Sequence, residues 1–206
     1  NQEALAAYFV ERLRYQNNLA WISMSFSESG CFAGAWRDRD DPVMNISCPG
    51  ENDGRPREFV MHADGTRSSL TRPVPPYDPR NRAWYTMAME QDKDVWTDII
   101  GFHEGRPGVT VARRVRDGQG AVIGVMTVDF FTDTIRQFLR ESQPAFSSVV
   151  FLMVGDQIIY PADVTAMESN AVSYAVSKFD ELKNQTRIIN IKGIPYYWDM
   201  RPLPGP

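Results

Sequence analysis

One hairpin-like segment constrains the fold more than any other part of the chain. Residues 109–115 and the almost wholly apolar run 121–131 are separated by the turn sequence Asp117-Gly-Gln-Gly120. Two strand-like runs joined by a glycine-containing turn are typical of an antiparallel β-hairpin. Because the run 121–131 is apolar at nearly every position, both of its faces must be covered. We therefore predict that it forms a central strand of a sheet.

The first part of the chain has the spacing of a helix. Apolar side chains recur at close to helical intervals through residues 1–27, with charged and amide side chains mostly between them. The pattern predicts one long amphipathic helix, which we assign to residues 1–29. This helix lacks an N-cap, and the chain begins without Met or a signal peptide. We expect a piece of a longer protein whose anchor and output module lie outside the sequence.

Turn signals divide the rest of the chain into short elements. Residues 30–76 are predicted to form short strands joined by hairpins, and residues 83–90 a short helix. A further helix is predicted to begin at Thr132, a residue type that caps helices. A second set of elements follows Gln143-Pro144. Its members are strands at 147–154 and 157–160, a weaker helix at 170–183, and a hairpin formed by 187–191 and 195–199.

This order of elements predicts an α+β fold, in which a long N-terminal helix precedes two related modules with antiparallel sheets. The first module covers residues 30–142, and the second, smaller module covers residues 143–206. A length of 206 residues suits two small units of this kind.

Composition and charge argue against several classes of protein. The net charge of −4 and the pI near 5.3 are unlike those of a nucleic-acid-binding surface, which is normally basic. The longest apolar runs are far shorter than the roughly 20 residues of a membrane-spanning helix. The sequence has no phosphate-binding loop and no G-x-S-x-G or H-E-x-x-H motif, and its two histidines lie far from both cysteines. We therefore predict no catalytic residue, no metal site and no cofactor.

Cys31 and Cys48 are the only cysteines in the chain. They are either two separate buried thiols or a disulfide, which would stabilise the fold by roughly 3 kcal/mol in the chain-entropy model. We favour the disulfide, and hence an oxidising compartment.

The segment from Tyr77 to Tyr85 is dense in groups that bind small charged ligands. It holds three aromatic side chains and two arginines within nine residues, stiffened by Pro79. An arginine can bind a carboxylate through two parallel hydrogen bonds, and a neighbouring Trp or Tyr can exclude water from the pair. The alternative is purely structural, with Trp84 and Tyr85 in the core and both arginines on the surface.

Asp129 is the second unusual residue, because it ends an apolar strand at an inward-facing position. A buried carboxylate without a partner is very costly. The partner is either structural, at the start of the next helix or on an arginine, or it is the ammonium group of a ligand. A pocket with Arg82 at one end and Asp129 at the other would suit an α-amino acid.

These residues resemble the Cache superfamily, the extracytoplasmic sensor domains of bacterial chemoreceptors, histidine kinases and nucleotide cyclases. The resemblance rests on Tyr-Asp-Pro-Arg-x-Arg-x-Trp-Tyr at residues 77–85, on Trp96-Thr-Asp98, and on the strand from Gly124 to Asp129. It covers about residues 73–131. The long first helix and the two modules resemble the layout of the double-Cache form, in which PAS-like modules follow one another and the membrane-distal first module usually binds the ligand.

The resemblance implies a role for each candidate site residue. Arg82 and Trp84, helped by Tyr77, would hold a carboxylate. Tyr85 would line the cavity, and Asp129 would bind an amino group.

One departure from the family pattern leaves the ligand class open. Ile99 and Ile100 stand where the amino-acid-binding members carry a further Tyr. The loss of that hydroxyl leaves an amine, an organic acid or another small metabolite as an alternative to an amino acid.

The resemblance further implies the sensing region of a membrane-anchored bacterial receptor that faces the periplasm or the cell exterior, is not itself an enzyme, and forms a homodimer through its first helix. Two other functions stay open. One is a ligand-free scaffold for dimerisation or for a protein partner. The other, which has less support in the sequence, is a secreted enzyme.

Overall fold

The chain begins with a shorter helix than predicted. Helix α1 spans Gln2–Tyr15, and residues Trp21–Phe26 form strand β1. The prediction of one helix over residues 1–29 is therefore wrong. Asn1 also caps α1, because its side-chain oxygen accepts a hydrogen bond from the backbone N–H of Glu3 at 3.1 Å. The computed structural model describes residues 1–38, 41–102, 104–143, 148–154, 157–161, 163–178, 186–191 and 194–199.

The pattern of residues 21–26 suits a strand as well as a helix. Ile22 and Met24 alternate with Ser23 and Ser25, which is the period of a strand. The polar residues 16–18 separate this run from α1. β1 pairs with a strand on each side and is buried along most of its length, so its backbone hydrogen bonds and both of its faces are satisfied in the sheet.

The first part of the chain forms one antiparallel sheet. The elements after β1 are β2 (Phe32–Asp38), β3 (Asp41–Ser47), β4 (Arg57–Met61), β5 (Arg67–Ser69), α2 (Ala83–Glu90), β6 (Val95–Trp96), β7 (Ile100–Gly101), β8 (Pro107–Arg116), β9 (Val122–Phe131) and α3 (Thr132–Glu141). One-turn 3₁₀ helices lie at Asn52–Gly54 and Pro79–Asn81. The strand order in the sheet is β5-β4-β3-β2-β1-β9-β8-β6, and β7 pairs with β8.

The predicted hairpin is confirmed. β8 and β9 pair antiparallel, and β9 lies inside the sheet between β1 and β8. Its burial is less complete than its composition suggested, since Ile123 and Met126 are 39% and 38% exposed. Helices α2 and α3 begin where the sequence predicted them. The hydroxyl of Thr132, the first residue of α3, donates to the carbonyl oxygen of Pro107 at 3.3 Å.

The two faces of the sheet have different roles. α1 packs on one face, where apolar side chains of β1, β2 and β3 form the main core with its buried residues Ala6, Phe9, Val10 and Leu13. Each large apolar side chain buried in this way stabilises the fold by about 1.5–3 kcal/mol. The opposite face carries Trp21, Phe32, Trp36 and several small polar side chains. This second face forms the floor of the site described below.

Cys31 and Cys48 are joined by a disulfide. Strand register explains why they meet: Phe32 pairs with Ser47, so the residue before β2 lies opposite the residue after β3. The bond therefore closes the end of the β2–β3 hairpin.

Contacts divide the chain into two compact units, residues 1–134 with 154–157, and residues 135–153 with 158–206. The predicted boundary after residue 142 comes later in the chain than the division after residue 134. None of the helices that the structure describes is both long and apolar enough to span a membrane.

The described elements of the second part are two hairpins and a helix. Helix α4 starts earlier than the predicted 170–183, because Thr165 caps it and forms a capping box with Glu168 in its first turn. Of the strand predicted at 147–154, the structure describes residues 148–154, and among these the last three are in strand conformation. Residues 179–183 of the predicted helix lie outside the described residues. The elements are β10 (Leu152–Val154), β11 (Gln157–Ile159), α4 (Ala166–Ser177), β12 (Thr186–Ile191) and β13 (Ile194–Asp199).

Candidate ligand-binding site

A cavity of about 200 Å³ lies on the sheet face opposite α1. It is smaller than the roughly 300–1,000 Å³ of pockets that hold drug-sized ligands, so it suits a small metabolite. Most of its lining comes from six strands, from the segment between β5 and α2, and from α2 itself. Its lining residues are Trp21, Ser23, Phe32, Asn45, Pro56, Val74, Pro75, Tyr77, Arg82, Trp84, Ile100, Phe102, Thr110, Thr127 and Asp129.

Four of the five predicted site residues meet at this cavity: Tyr77, Arg82, Trp84 and Asp129 all line it. Tyr85 is buried but is not among the lining residues. Trp84 and Tyr85 share one buried cluster at the start of α2, with 6.0 Å between their ring centroids, but of the two only Trp84 also lines the cavity. Tyr85 packs in the core cluster that α2 forms with β8 and β9.

Local structure separates the two arginines of the segment. The side chain of Asp78 accepts the backbone N–H of Arg80 and starts the 3₁₀ turn that Pro79 favours. The same carboxylate forms an ion pair with the Arg80 guanidinium, at 2.7 Å. This guanidinium packs against Gly30. The side chain of Arg82 makes no hydrogen bond or ion pair with any residue in the described ranges. Arg82 is therefore the arginine available to a ligand.

Asp129 supplies the carboxyl group of the cavity. It lies opposite Thr110 on β8, and its Oδ1 atom is buried and accepts no hydrogen bond from the part of the chain that the structure describes. Burial raises the pKa of Asp129 to about 8; a hydrogen bond from Thr110 opposes this shift, and the nearby negative charge of Glu104 adds to it. A cation bound at Asp129 would stabilise its charged form.

Tyr77 forms part of the wall. Burial raises the pKa of its phenol well above the ordinary value, so this group stays neutral at every physiological pH. Its ring packs edge-on against Phe32, with 5.2 Å between centroids. Ile100 also lines the cavity with an apolar side chain, and it is one of the two positions at which the sequence analysis noted the absence of a Tyr.

The floor of the cavity carries a row of polar residues that the sequence analysis missed. In register across adjacent strands stand Asn45, Gly34, Ser23 and Thr127. The hydroxyls of Ser23 and Thr127 share a hydrogen bond of 2.6 Å. The sequence does contain a signal for this row, because each polar residue interrupts an apolar run. Strand register is needed, however, to show that these residues lie side by side. The mistaken helix over residues 1–29 concealed the position of Ser23.

Glu58 extends this row on β4 and is almost fully buried. Its carboxylate accepts hydrogen bonds from Arg72 at 2.6 Å, from Asn45 at 2.9 Å and from the indole of Trp36 at 3.2 Å. Arg72 also stacks over the Trp36 ring, with 4.9 Å from its guanidinium carbon to the centroid. The buried charge is thus neutralised within the protein, and the network holds Asn45 in place.

A metal has no evident place here. Within the described ranges, no group of three or more His, Cys, Asp or Glu side chains is arranged to hold a metal ion. The polar groups of the cavity instead suit an organic ligand with a cationic group and further hydrogen-bonding groups.

Comparison with solved structures finds ligand-binding domains of bacterial chemoreceptors. The domain of Pseudomonas fluorescens CtaA in complex with L-serine is 13% identical, with a TM-score of 0.55, covering 98% of this chain and 73% of that one. The domain of Campylobacter jejuni Tlp3 in complex with L-valine is 11% identical, with a TM-score of 0.50 and coverage of 90% and 63%. The domain of Pseudomonas aeruginosa PctC in complex with GABA is 20% identical, with a TM-score of 0.47 and coverage of 78% and 58%.

These similarities concern the fold. The chain has the α+β fold of chemoreceptor ligand-binding domains, in agreement with the resemblance to Cache sensor domains. It spans about six-tenths of the length of the Tlp3 and PctC domains. No family model matches the sequence, and no curated protein matches it.

Proposed function

We propose that this chain is the ligand-sensing region of a bacterial membrane receptor, and that its first unit binds a small metabolite with an amino group. The observation that carries the proposal is Asp129, whose buried Oδ1 has no partner within the described ranges and which lines a cavity. A buried carboxylate oxygen without a donor is unfavourable. A ligand ammonium would supply both the charge and the hydrogen bond.

The cavity also suits the second charged group of an amino acid. Arg82 lines it and has no ion-pair partner among the residues described. A ligand carboxylate could accept two parallel hydrogen bonds from its guanidinium, beside the indole of Trp84. The L-serine and L-valine in the CtaA and Tlp3 structures are molecules of this class. An amine would use Asp129 alone, and an organic acid would use Arg82 alone.

The packing of α1 offers a route for a signal. The helix covers one face of the strands whose other face forms the cavity floor. A ligand that prefers one arrangement of these strands would shift the population toward it, and α1 would move with them. Tyr8 and Tyr15, seven residues apart on α1, are 57% and 80% exposed and would form part of a homodimer contact. In this proposal the receptor is anchored in the membrane and the domain lies outside the cytoplasm, where its disulfide is stable.

A thermal-shift screen of amino acids, amines and small carboxylates tests the proposal. A ligand at a hundredfold excess over its dissociation constant stabilises the folded protein by about 2.7 kcal/mol. The stabilisation by an amino acid should disappear in Arg82→Ala and in Asp129→Asn. Arg80→Ala is the matched control, because that arginine is held by Asp78 and does not line the cavity.

The outcomes separate the alternatives. Dependence on Asp129 alone indicates an amine, and dependence on Arg82 alone indicates an organic acid. If no compound shifts the unfolding temperature of the wild type while all variants fold, the ligand-free scaffold becomes the better account.

One surface feature bears on the enzyme alternative. Nδ1 of His62 lies 3.2 Å from Oδ2 of Asp41, and Nε2 lies 2.9 Å from Oγ of Ser68. Serine hydrolases use these three residue types in this order. Ser68 is, however, exposed on the edge strand β5, and none of the three residues lines the cavity. The chain of bonds instead links neighbouring strands, since Asp41 is on β3, His62 follows β4 and Ser68 is on β5.

A further inference from the structure

A second unpartnered acceptor lines the cavity, several strands away from Asp129. Oδ1 of Asn45 is buried and accepts no hydrogen bond from any residue in the described ranges, and the residue as a whole is 4% exposed. Native proteins seldom leave a buried carbonyl oxygen without a donor. Asn45 lies on β3, on the sheet face that forms the cavity floor.

Neighbouring groups determine which end of the Asn45 amide faces the cavity. Nδ2 donates to Oε1 of Glu58 on β4 at 2.9 Å. A carboxylate can only accept, so the amide nitrogen must be the end that faces Glu58. The bonds from Arg72 and Trp36 hold that carboxylate in turn. Oδ1 is therefore directed away from β4, on the side of Gly34, which has no side chain to act as a donor.

We propose that Asn45 determines ligand specificity by accepting a hydrogen bond from a second donor group of the ligand. The inference rests on the proposed function, in which Asp129 binds the amino group. It narrows the ligand to an amine or amino acid whose other end carries an amino, amide or hydroxyl group. An apolar end would leave Oδ1 of Asn45 buried and unpartnered in the complex.

The sheet sets the distance between the two acceptors. Asn45 is three strand positions from Thr127, through Gly34 and Ser23, and Asp129 lies two residues further along β9. With about 4.8 Å between strands and about 3.4 Å per residue, the two Cα atoms are about 16 Å apart. The side chains and hydrogen bonds span part of this distance. The two donors of the ligand must therefore be separated by several bonds, as in lysine or a linear diamine.

Isothermal titration calorimetry with matched pairs tests the inference. The pairs are L-lysine with L-norleucine, and 1,5-diaminopentane with n-pentylamine; within each pair only the terminal amino group differs. Wild-type protein should bind the member with the second amino group about ten- to a hundredfold more tightly, as expected for a hydrogen bond from a charged donor. In Asn45→Val and Asn45→Leu this preference should fall below about threefold, with the affinity for the apolar member unchanged.

Ser47→Ala is the matched control. Ser47 lies on the same strand and face, is buried, and has a hydroxyl without a hydrogen-bond partner among the described residues, but it does not line the cavity. This variant should keep the wild-type preference. The use of two variants of different size at position 45, each checked by thermal unfolding, separates a binding effect from a folding defect.

Three outcomes would overturn the inference. Equal binding of both members of each pair by the wild type rejects the role of Asn45 and leaves the proposed function standing. A preference that persists in folded Asn45→Val or Asn45→Leu places the second acceptor elsewhere. If none of the four probes binds and no compound of the wider amino-acid and amine panel shifts the unfolding temperature, the proposed function is rejected as well.

Discussion

Replacing Asp129 by Asn should remove a pH dependence of stability from the ligand-free protein. Burial raises the pKa of Asp129 from 3.8 to about 8, so the folded state holds a proton that the unfolded chain releases. Because the folded state binds the extra proton, the free energy of unfolding falls as the pH rises from about 4 to about 8. Each pH unit in this window removes about 1.4 kcal/mol. Between about pH 5.5 and about pH 7, the free energy of unfolding of the wild type should therefore fall by about 2 kcal/mol more than that of Asp129→Asn.

Urea unfolding followed by tryptophan fluorescence measures this difference, since four of the five tryptophans lie in the first unit. Subtracting the two titrations cancels the groups that both proteins share. Asp98→Asn, at an exposed position, is the control and should follow the wild type. If Asp129→Asn shows the same change with pH as the wild type, the carboxyl is already ionised in the folded protein. The buried-acceptor reasoning would then be refuted.

Three further changes test the fold around the site. Gly124→Ala should destabilise the protein by more than about 3 kcal/mol, because a Cβ there would overlap a backbone carbonyl oxygen of β1; cooperative urea unfolding close to that of the wild type would contradict this. Arg72→Met should lower the free energy of unfolding by about 3–5 kcal/mol, because it removes the charge that neutralises buried Glu58. A change below about 1 kcal/mol in urea unfolding would show that other groups are enough to stabilise the Glu58 carboxylate. Replacing both Cys31 and Cys48 by Ser should cost about 3 kcal/mol, and dithiothreitol should lower the unfolding temperature of the wild type but not of this variant.

Local sequence patterns predicted the structure correctly where a pattern fits only one kind of element. The β8–β9 hairpin is encoded by two strand-like runs and a glycine-containing turn, and the structure has it at the predicted place. The segment from Tyr77 to Trp84 was recognisable because its aromatic and arginine residues are adjacent in sequence. The structure places Tyr77, Arg82 and Trp84 around one cavity.

A sequence pattern that fits both a helix and a strand did not predict the element correctly. Ile22 and Phe26 fit the period of a helix, but with Met24 between them they also fit that of a strand. Only pairing with β2 and β9 on either side decides for the strand. Tyr85 packs in the same core cluster as Trp84, but of the two only Trp84 lines the cavity. The error at residues 21–26 arises because the strands that pair with them are distant in the chain.

The sequence by itself determined the α+β class, the central hairpin, the aromatic and arginine segment and the presence of an inward-facing carboxylate at Asp129. These depend on the spacing of residues close together in the chain. The tertiary structure alone decided that Asn45 and Asp129 share one cavity floor, and that Glu58 holds the Asn45 amide with its oxygen turned away from β4. The physical reason is register: hydrogen bonding between strands aligns side chains far apart in sequence, and short apolar runs do not specify their partners in advance.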